Sequence, residues 1–451
     1  MLNEKESGIT HRQVMSLAWP MILSNLTIPM LGVVDTAILG HLGDPVYLAA
    51  VAGGTTLLTF LLWSFGFLKM GTTGIVARSV GSKNLNSALD CLLQSSVLAI
   101  GLSVLIWILQ WAFLPTALLL INPNPDSYQW AFEYTSIRLL AAPFTLMNFV
   151  IVGWFIGFQN TKTPLVLMVF INLINILFDY IFVIGFDLKS TGAAWASVIA
   201  DVLGFLLGLI YIYTVLKRLN ISNRLFVSIK ALSVQKKYFE LIQINSQLFI
   251  RTACLLGVIT FFTSQGARLG EYYLAANAIL MQIVAIISYG LDGFAHAAQA
   301  LVGRATGANN LKLFKEACLK TGFWALATAL FFSLMLWLLK IPIVHFFTNI
   351  NDVLILLDEY YQWLLLFAVF SFLAYHLDGI LIGWGKTGAM RNSMLFCTFC
   401  IFIPAWWLSR ELGNHGLWLA FLLFNVFRGI SLLGFVNYKF RNDPKNLLVT
   451  P

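Results

Sequence analysis

The segment VARSVGSKN (residues 76–84) returns in the second half of the chain as VGRATGANN (302–310), with the shared pattern Val-x-Arg-x-x-Gly-x-x-Asn. A second pattern, Gly-x-x-Ile-Gly, occurs at 153–157 and again at 379–383, which is the same offset. Each pattern alone is short, but two matches at one offset of about half the chain are improbable by chance. The sequence therefore indicates two related halves built on an internal repeat.

The composition excludes a water-soluble protein. Of the 451 residues, 59% are hydrophobic and 11% are charged, whereas a soluble domain carries roughly 25% charged residues. A helix needs about 20 residues to cross a ~30 Å hydrocarbon layer, and apolar runs of that length recur along the chain. Because lipid cannot hydrogen-bond to exposed backbone groups, these runs predict transmembrane helices.

Six predicted spans precede a basic stretch of the chain, and six follow it. They lie near 14–39, 46–70, 89–113, 131–158, 164–185, 192–216, 240–265, 272–299, 318–341, 358–384, 394–410 and 415–437. We predict an all-α membrane protein of twelve transmembrane helices, with an N-terminal six-helix lobe (1–216), a cytoplasmic basic linker (217–239) and a C-terminal six-helix lobe (240–451). Halves with even span counts insert in the same orientation, so a pseudo-two-fold axis along the membrane normal should relate them, as in alternating-access proteins.

Positive charges predict the orientation of the chain. The formal net charge is +8, but the basic residues occupy alternate loops instead of one face of a soluble domain, which argues against nucleic acid as a partner. The largest group, which includes Lys217, Arg218 and Arg224, lies between the two halves. By the positive-inside rule, the basic loops and both termini face the cytoplasm. We predict a multi-pass protein of the bacterial inner (plasma) membrane.

Acidic residues inside the predicted spans are candidate functional residues. An acid at the centre of a membrane helix costs at least ~2.5–3.5 kcal/mol on insertion scales, so each one requires a reason. Asp35 follows the run IPMLGVV and has no basic residue on its own segment. We interpret it as the first candidate for a proton or cation site. Asp179 and Asp201 are further candidates in the same half.

Helical periodicity groups these acids with other oxygen-bearing side chains. Asn172, Asn175 and Asp179 share one face at about 100° per residue, and Ser197 and Asp201, four apart, share a face of the next span. Carboxylate, amide and hydroxyl oxygens suit Na⁺, and burial disfavours the charged form of a carboxyl group, which also favours proton exchange. The alternative is that these polar faces merely hydrogen-bond to neighbouring helices.

The second half contains a different polar cluster. Asp292 and His296 lie four apart on one predicted span, and neighbouring spans carry Arg251 and Asp378. An arginine near an intramembrane acid commonly forms a neutralising pair, and we expect this of Arg251. A proton relay through His296 is the alternative use of this cluster.

Motifs for enzymatic chemistry are missing from the sequence. It has no phosphate-binding loop, Gly-rich dinucleotide turn, zinc-ligand spacing or nucleophile elbow. We therefore predict neither an enzyme nor a bound cofactor, and transport driven by ATP on this chain alone is disfavoured.

Several segments, in order along nearly the whole chain, resemble the multidrug and toxic compound extrusion (MATE) family, and its DinF-like branch in particular. They are Leu17-Ala18-Trp19-Pro20, Asp35-Thr36-Ala37-x-x-Gly40-His41-Leu42-Gly43, Gly153-Trp154-x-x-Gly157-x-Gln159, Asn172-x-x-Asn175-x-x-x-Asp179, Gly192-Ala193-Ala194, Ala275-x-Asn277-Ala278, Leu291-Asp292-Gly293-Phe294-Ala295 and Asp378-Gly379-x-x-Ile382-Gly383. The resemblance implies two six-helix lobes that export organic cations, drugs or other amphipathic compounds against an inward flow of H⁺ or Na⁺.

The resemblance also implies roles for individual residues. Asp35 matches the acid of the first helix that couples substrate to ion, and Pro20 matches the proline at which that helix bends. A cation site is implied at Asn175, Asp179 and Ser197, where the family often has threonine in place of the serine. Asn148 is expected to line the same substrate cavity, together with Asp35, Asn172 and Asp179. Any bound metal is thus expected to be Na⁺ at Asp35, Asn175, Asp179 and Ser197.

A lipid-linked precursor flippase of a related fold is the alternative function. The cavity of such a flippase needs basic groups to bind pyrophosphate, whereas the charged residues at membrane depth here are mainly acidic. Two arginines, Arg251 and Arg428, are too few to reverse the preference for a transporter of cations. We expect a small amphipathic or cationic substrate, contact with membrane lipid and a monomeric protein, with H⁺ or Na⁺ as the coupling ion.

Overall fold

The computed structural model describes residues 8–40, 45–121, 125–219, 235–442 and 448, apart from the side chains of 28–37, 39–40, 45, 120–121, 125–126 and 235–237. The described residues are almost entirely helical. The first half contains α1 (His11–Gly40), α2 (Pro45–Ser64), α3 (Phe67–Gly81), α4 (Leu85–Ile121), α5 (Pro125–Leu140), α6 (Ala142–Gly157), α7 (Lys162–Asp179) and α8 (Lys189–Arg218). The second half contains α9 (Gln235–Leu269), α10 (Glu271–Gly307), α11 (Leu311–Leu338), α12 (Lys340–Phe347), α13 (Asn351–Tyr360), α14 (Gln362–Trp384), α15 (Thr387–Phe396), α16 (Ile403–Ser409) and α17 (Asn414–Asn442).

These helices account for the predicted membrane spans. Ten of the described helical segments are long and apolar enough to cross a membrane, and α5 with α6 supplies an eleventh as one bent span. The 30-residue helix α1 overlaps the remaining predicted span. The predicted span near 358–384 is shorter than expected, because α13 ends at Tyr360 and the membrane helix α14 begins at Gln362. Most of the predicted linker, residues 220–234, lies outside the described residues.

A proline causes the sharp bend between α5 and α6, a feature that the sequence analysis missed. The two helices meet at Ala141 with an angle of 51°. Pro143 has no N–H to donate to the carbonyl of Leu139, four residues earlier, and its ring would crowd that carbonyl in a straight helix. The indole Nε1 of Trp107 on α4 donates to the Leu139 oxygen at 2.8 Å instead. The Trp107 indole thus keeps this backbone acceptor hydrogen-bonded inside an apolar segment.

Contacts within the chain define two compact units. The N-terminal unit consists of Leu23–Val76 and Asn84–Asn245, and the C-terminal unit consists of Met1–Ile22, Ala77–Lys83 and Ser246–Pro451. The predicted lobes follow sequence position alone, and they differ from these units at Met1–Ile22 and Ala77–Lys83.

The Gly-x-x-Ile-Gly pattern makes the same packing contact in each unit. A Cβ atom added to Gly153 on α6 would lie 2.4 Å from the carbonyl oxygen of Lys69 on α3. A Cβ atom added to Gly379 on α14 would lie 2.3 Å from the carbonyl oxygen of Ala295 on α10. Lys69 and Ala295 are separated by the same offset as the two glycines, so the contact itself belongs to the repeat seen in the sequence. Only glycine permits such a close approach of two helices.

The Val-x-Arg-x-x-Gly pattern joins its own two copies within the C-terminal unit. A Cβ atom added to Gly81 would lie 2.1 Å from the Arg304 carbonyl oxygen, and one added to Gly307 would lie 1.9 Å from the Arg78 carbonyl oxygen. The Arg78 guanidinium also donates to the carbonyls of Ile382 and Gly383 at 3.1 and 3.2 Å. The two repeated patterns therefore contact each other at the last turns of α3, α10 and α14.

Candidate ion and substrate site

The first helix carries two of the predicted site residues. Pro20 is buried, and α1 continues through it without a break. Asp35 belongs to the same helix, but its side chain lies outside the described residues. The coupling role of Asp35 and the hinge at Pro20 both stay predictions.

The structure brings three other predicted residues together in the N-terminal unit, and we call them the amide–acid cluster: Asn175 and Asp179 on α7 and Ser197 on α8. All three are buried, with exposed fractions of 0%, 0% and 2%. The orientation of the Asn175 amide that suits both neighbours has Nδ2 donating to Asp179 Oδ2 at 2.9 Å. Its Oδ1 then accepts from the Ser197 hydroxyl at 2.9 Å and from the Ser197 N–H at 3.2 Å.

Local helix geometry explains this arrangement. Asn175 and Asp179 are one turn apart and buried, while Leu173 and Leu177, two residues before each of them, are 61% and 52% exposed, as expected of a face turned to lipid. Directly after Asp179 the helix widens into a π-helical turn, Tyr180–Gly185. Such turns are rare and occur frequently at functional sites.

Asn172 lies one turn before the cluster and contacts α1. Its amide nitrogen donates to the carbonyl oxygen of Thr27 at 3.0 Å. Thr27 precedes Asp35 by about two helical turns. The polar face of α7 therefore extends from Asp179 to the first helix, and Asn172 is only partly buried along it.

Asp201 has different surroundings from those predicted. Its Oδ2 lies 3.5 Å from a guanidinium nitrogen of Arg138 on α5 and accepts a hydrogen bond from the Thr145 hydroxyl on α6 at 2.7 Å. The Asn148 amide donates to the backbone carbonyl of Asp201 at 3.1 Å. Asn148 thus contacts α8 one turn beyond Ser197. A nearby guanidinium therefore compensates the charge of Asp201.

The amide–acid cluster has the groups needed to exchange a small cation. It presents a carboxylate, an amide and a hydroxyl, the hard oxygen ligands that Na⁺ prefers. A carboxyl group hydrogen-bonded to a neutral amide can also bind a proton. In the described part of the chain, no three His, Cys, Asp or Glu side chains come together as a transition-metal site would require.

In the second half, Arg251 pairs with an intramembrane acid as expected, and that acid is Asp378. We call the group around it the arginine–acid cluster: Arg251 on α9, Asp378 on α14 and Arg428 on α17. Arg251 donates to Asp378 Oδ2 at 2.6 Å. Arg428 pairs with the same oxygen, and its guanidinium lies 5.4 Å from the ring centre of Tyr375. Arg251 and Asp378 are nearly buried and Arg428 is completely buried. The expected pairing of Arg251 therefore involves one acid shared by two arginines.

Asp292 and His296 lie on α10, beside this cluster. Asp292 is partly buried and close enough to interact electrostatically with Arg251 and Tyr375. His296 is buried one turn further along. The formal charges of Arg251, Arg428, Asp378 and Asp292 add to zero.

Three residues that shape the two sites were not assigned to them from the sequence: Arg138, Thr145 and Arg428. Arg138 and Arg428 are charged residues inside apolar segments, and that rarity is the signal which would have identified them. Thr145 carries no such signal. Arg138 and Asp201 are 63 positions apart in the chain. Periodicity within one helix cannot reveal such a pair.

Comparisons with known proteins agree with this architecture. The family model MatE matches residues 20–181 and 248–407. DNA damage-inducible protein F of Escherichia coli (strain K12) is 36% identical over 435 residues, which are 94% of this chain and 92% of that protein. Multidrug and toxin extrusion protein 1 of Pongo abelii is 26% identical over 94% of this chain and 74% of its own length. A solved outward-facing structure of a multidrug resistance MATE family transporter of the MOP superfamily superimposes with a TM-score of 0.84 at 19% identity, covering 96% of this chain and 95% of that one.

Proposed function

Because the chain belongs to the MatE family of membrane transporters, we propose that it is an antiporter that exports organic cations, drugs or other amphipathic compounds in exchange for H⁺ or Na⁺. The observation that carries this proposal is the amide–acid cluster inside apolar helices, in which a buried carboxylate accepts a hydrogen bond from a neutral amide and that amide accepts one from a hydroxyl. Relatives named for multidrug and toxin extrusion support the substrate class.

In the proposed coupling, the cationic substrate and the coupling ion compete for the same acidic side chains. With Asp179 and Asp35 ionised, the N-terminal unit attracts a cationic substrate from the cytoplasm. Binding of H⁺ or Na⁺ from the outside neutralises these acids and lowers the affinity for the substrate. Alternating access then exposes the neutralised site to the cytoplasm, where the ion leaves. A ligand shifts such an equilibrium only through its different affinity for the two states.

Asp201 has a structural part in this scheme. Its carboxylate pairs with Arg138 and accepts a hydrogen bond from Thr145, so neutralising it would leave a partly buried guanidinium without this counter-charge. We therefore assign ion coupling to Asp179, with Asp35, and assign Asp201 to the packing of α8 against α5 and α6. We further propose that the protein works as a monomer in the plasma membrane, with both termini in the cytoplasm.

Efflux of a fluorescent organic cation from proteoliposomes tests the proposal. An imposed pH gradient, an imposed Na⁺ gradient and no gradient are compared for the wild type, Asp35→Asn and Asp179→Asn. We expect gradient-driven efflux in the wild type and at least a tenfold loss in both variants. Asp187→Asn is the control, because Asp187 is exposed and asparagine tolerates its φ of 52°. Efflux that is independent of every gradient, or undiminished in both variants, contradicts the proposal.

A further inference from the structure

We propose that the arginine–acid cluster is a binding site for an oxyanion, such as the carboxylate or sulfonate group of an amphipathic molecule. This site is separate from the cation-coupling role proposed for the N-terminal unit. It rests on the geometry around Asp378 and does not depend on the direction or coupling of transport.

The first argument is an excess of hydrogen-bond donors. Arg251 and Arg428 both direct a nitrogen to the same oxygen, Asp378 Oδ2. Among the described residues, three donors of the cluster are buried without a hydrogen-bond partner, namely Nε of Arg251 and both Nε and Nη1 of Arg428, against one such acceptor, Oδ1 of Asp378. A buried donor of a charged group that has no hydrogen-bond partner costs free energy, because it has lost its hydration and gained nothing in return. The donors without a partner outnumber the acceptors without one, so the cluster can donate to a further acceptor even though its formal charges balance.

The second argument is the shape of the donors. A guanidinium group is a planar fork that matches the two oxygens of a carboxylate, sulfonate or phosphate group. Arg428 is completely buried, and the face of the Tyr375 ring fixes its orientation. An oxyanion that takes the place of the Asp378 carboxylate would find two preorganised guanidinium groups.

The balance of charge indicates how the site is controlled. Asp378 occupies the guanidinium groups, and Asp292 on α10 adds a second negative charge nearby. The Asp378 carboxylate thus occupies the position that the bound anion would take. Removing its charge should strengthen anion binding, whereas removing one arginine together with Asp378 should abolish it at unchanged net charge.

Binding to purified protein in detergent micelles tests this site without transport, so failure here is distinct from failure of the antiport proposal. The probes are a fluorescent amphipathic sulfonate and its uncharged sulfonamide analogue. We expect the wild type to bind the sulfonate about tenfold more tightly than the analogue, the usual magnitude for a charge-assisted hydrogen bond. Asp378→Asn should bind the sulfonate severalfold more tightly still.

A charge-balanced double variant keeps the test decisive if Asp378→Asn does not fold. Arg428→Met with Asp378→Asn should lose the preference for the sulfonate. Its matched control is Arg138→Met with Asp201→Asn, the same substitutions at the ion pair of the N-terminal unit, which should retain the preference. An unchanged preference in the Arg428→Met and Asp378→Asn variant overturns the proposal.

Competition by sodium sulfate at constant ionic strength identifies the source of the anion. Displacement of the sulfonate by sulfate in the wild type supports a site that a free inorganic oxyanion fills. Retention of the sulfonate supports a site that needs the apolar body of an amphipathic molecule as well. Sulfate competition of equal strength in the wild type and in the Arg428→Met and Asp378→Asn variant places the anion elsewhere and overturns the assignment.

Discussion

The two halves of the chain share their backbone contacts and differ in their polar clusters. In both units, glycines related by the repeat pack against backbone carbonyls related by the same offset. In the N-terminal unit the buried acid Asp179 accepts a hydrogen bond from an amide, whereas in the C-terminal unit the buried acid Asp378 pairs with two guanidinium groups. The repeat therefore maintains the packing, and side chains at a few positions give each half its own chemistry.

The partners of each acid determine what the acid can exchange. A carboxylate shared by two arginines is tied to both of them, because losing its charge would leave buried cations without their counter-charge. The carboxylate of Asp179 instead belongs to a group of carboxylate, amide and hydroxyl oxygens that suit Na⁺. We therefore propose ion exchange at Asp179 in the N-terminal unit and a structural role for Asp378.

The largest expected difference is in stability. Asp378→Asn should lower the free energy of unfolding by about 3–5 kcal/mol, because the two buried arginines lose the carboxylate that they share and only Asp292 stays nearby as a counter-charge. Asp179→Asn should lower it by less than about 1.5 kcal/mol, because asparagine still accepts a hydrogen bond from Asn175. Denaturation of both variants in the same detergent, followed by tryptophan fluorescence, measures the difference. Equal losses would show that the partners of the two acids do not differ in this way.

A smaller effect is expected where the halves are alike. Gly307→Ala places a methyl group 1.9 Å from the Arg78 carbonyl oxygen, so the last turns of α3 and α10 must separate. Overpacking of this kind costs about 1–3 kcal/mol. Gly257→Ala is the control, because a Cβ atom at Gly257 meets no atom within 4 Å. Thermal unfolding of the two variants should differ clearly, and similar curves would contradict a tight contact between the repeated patterns.

Features determined within one segment were predictable from the sequence. Apolar runs gave the membrane helices, the common offset gave the repeat, and the helical period placed Asn175 on the same face as Asp179. The bend at Pro143 was missed, because the prediction joined residues 131–158 into one span. Whether a proline bends a membrane helix depends on what satisfies the freed carbonyl, here the Trp107 indole from another helix.

Features determined by pairs of distant residues were not predictable. Asp201 and Arg138 each look like an isolated charge in the sequence, and only the packing of α5 against α8 makes them an ion pair. Arg428 was noted as a membrane-depth charge but was not assigned to Asp378. Asp35 remains a prediction from the sequence and the family resemblance.

The most direct test of ion exchange at Asp179 is competition between a substrate and the coupling ion on purified protein. The dissociation constant of a fluorescent organic cation is measured over a series of pH values and Na⁺ concentrations, for the wild type, Asp179→Asn and the exposed-site control Asp187→Asn. We predict that H⁺ or Na⁺ weakens binding at least tenfold in the wild type and in the control, and that this competition disappears in Asp179→Asn. Undiminished competition in Asp179→Asn would contradict the account.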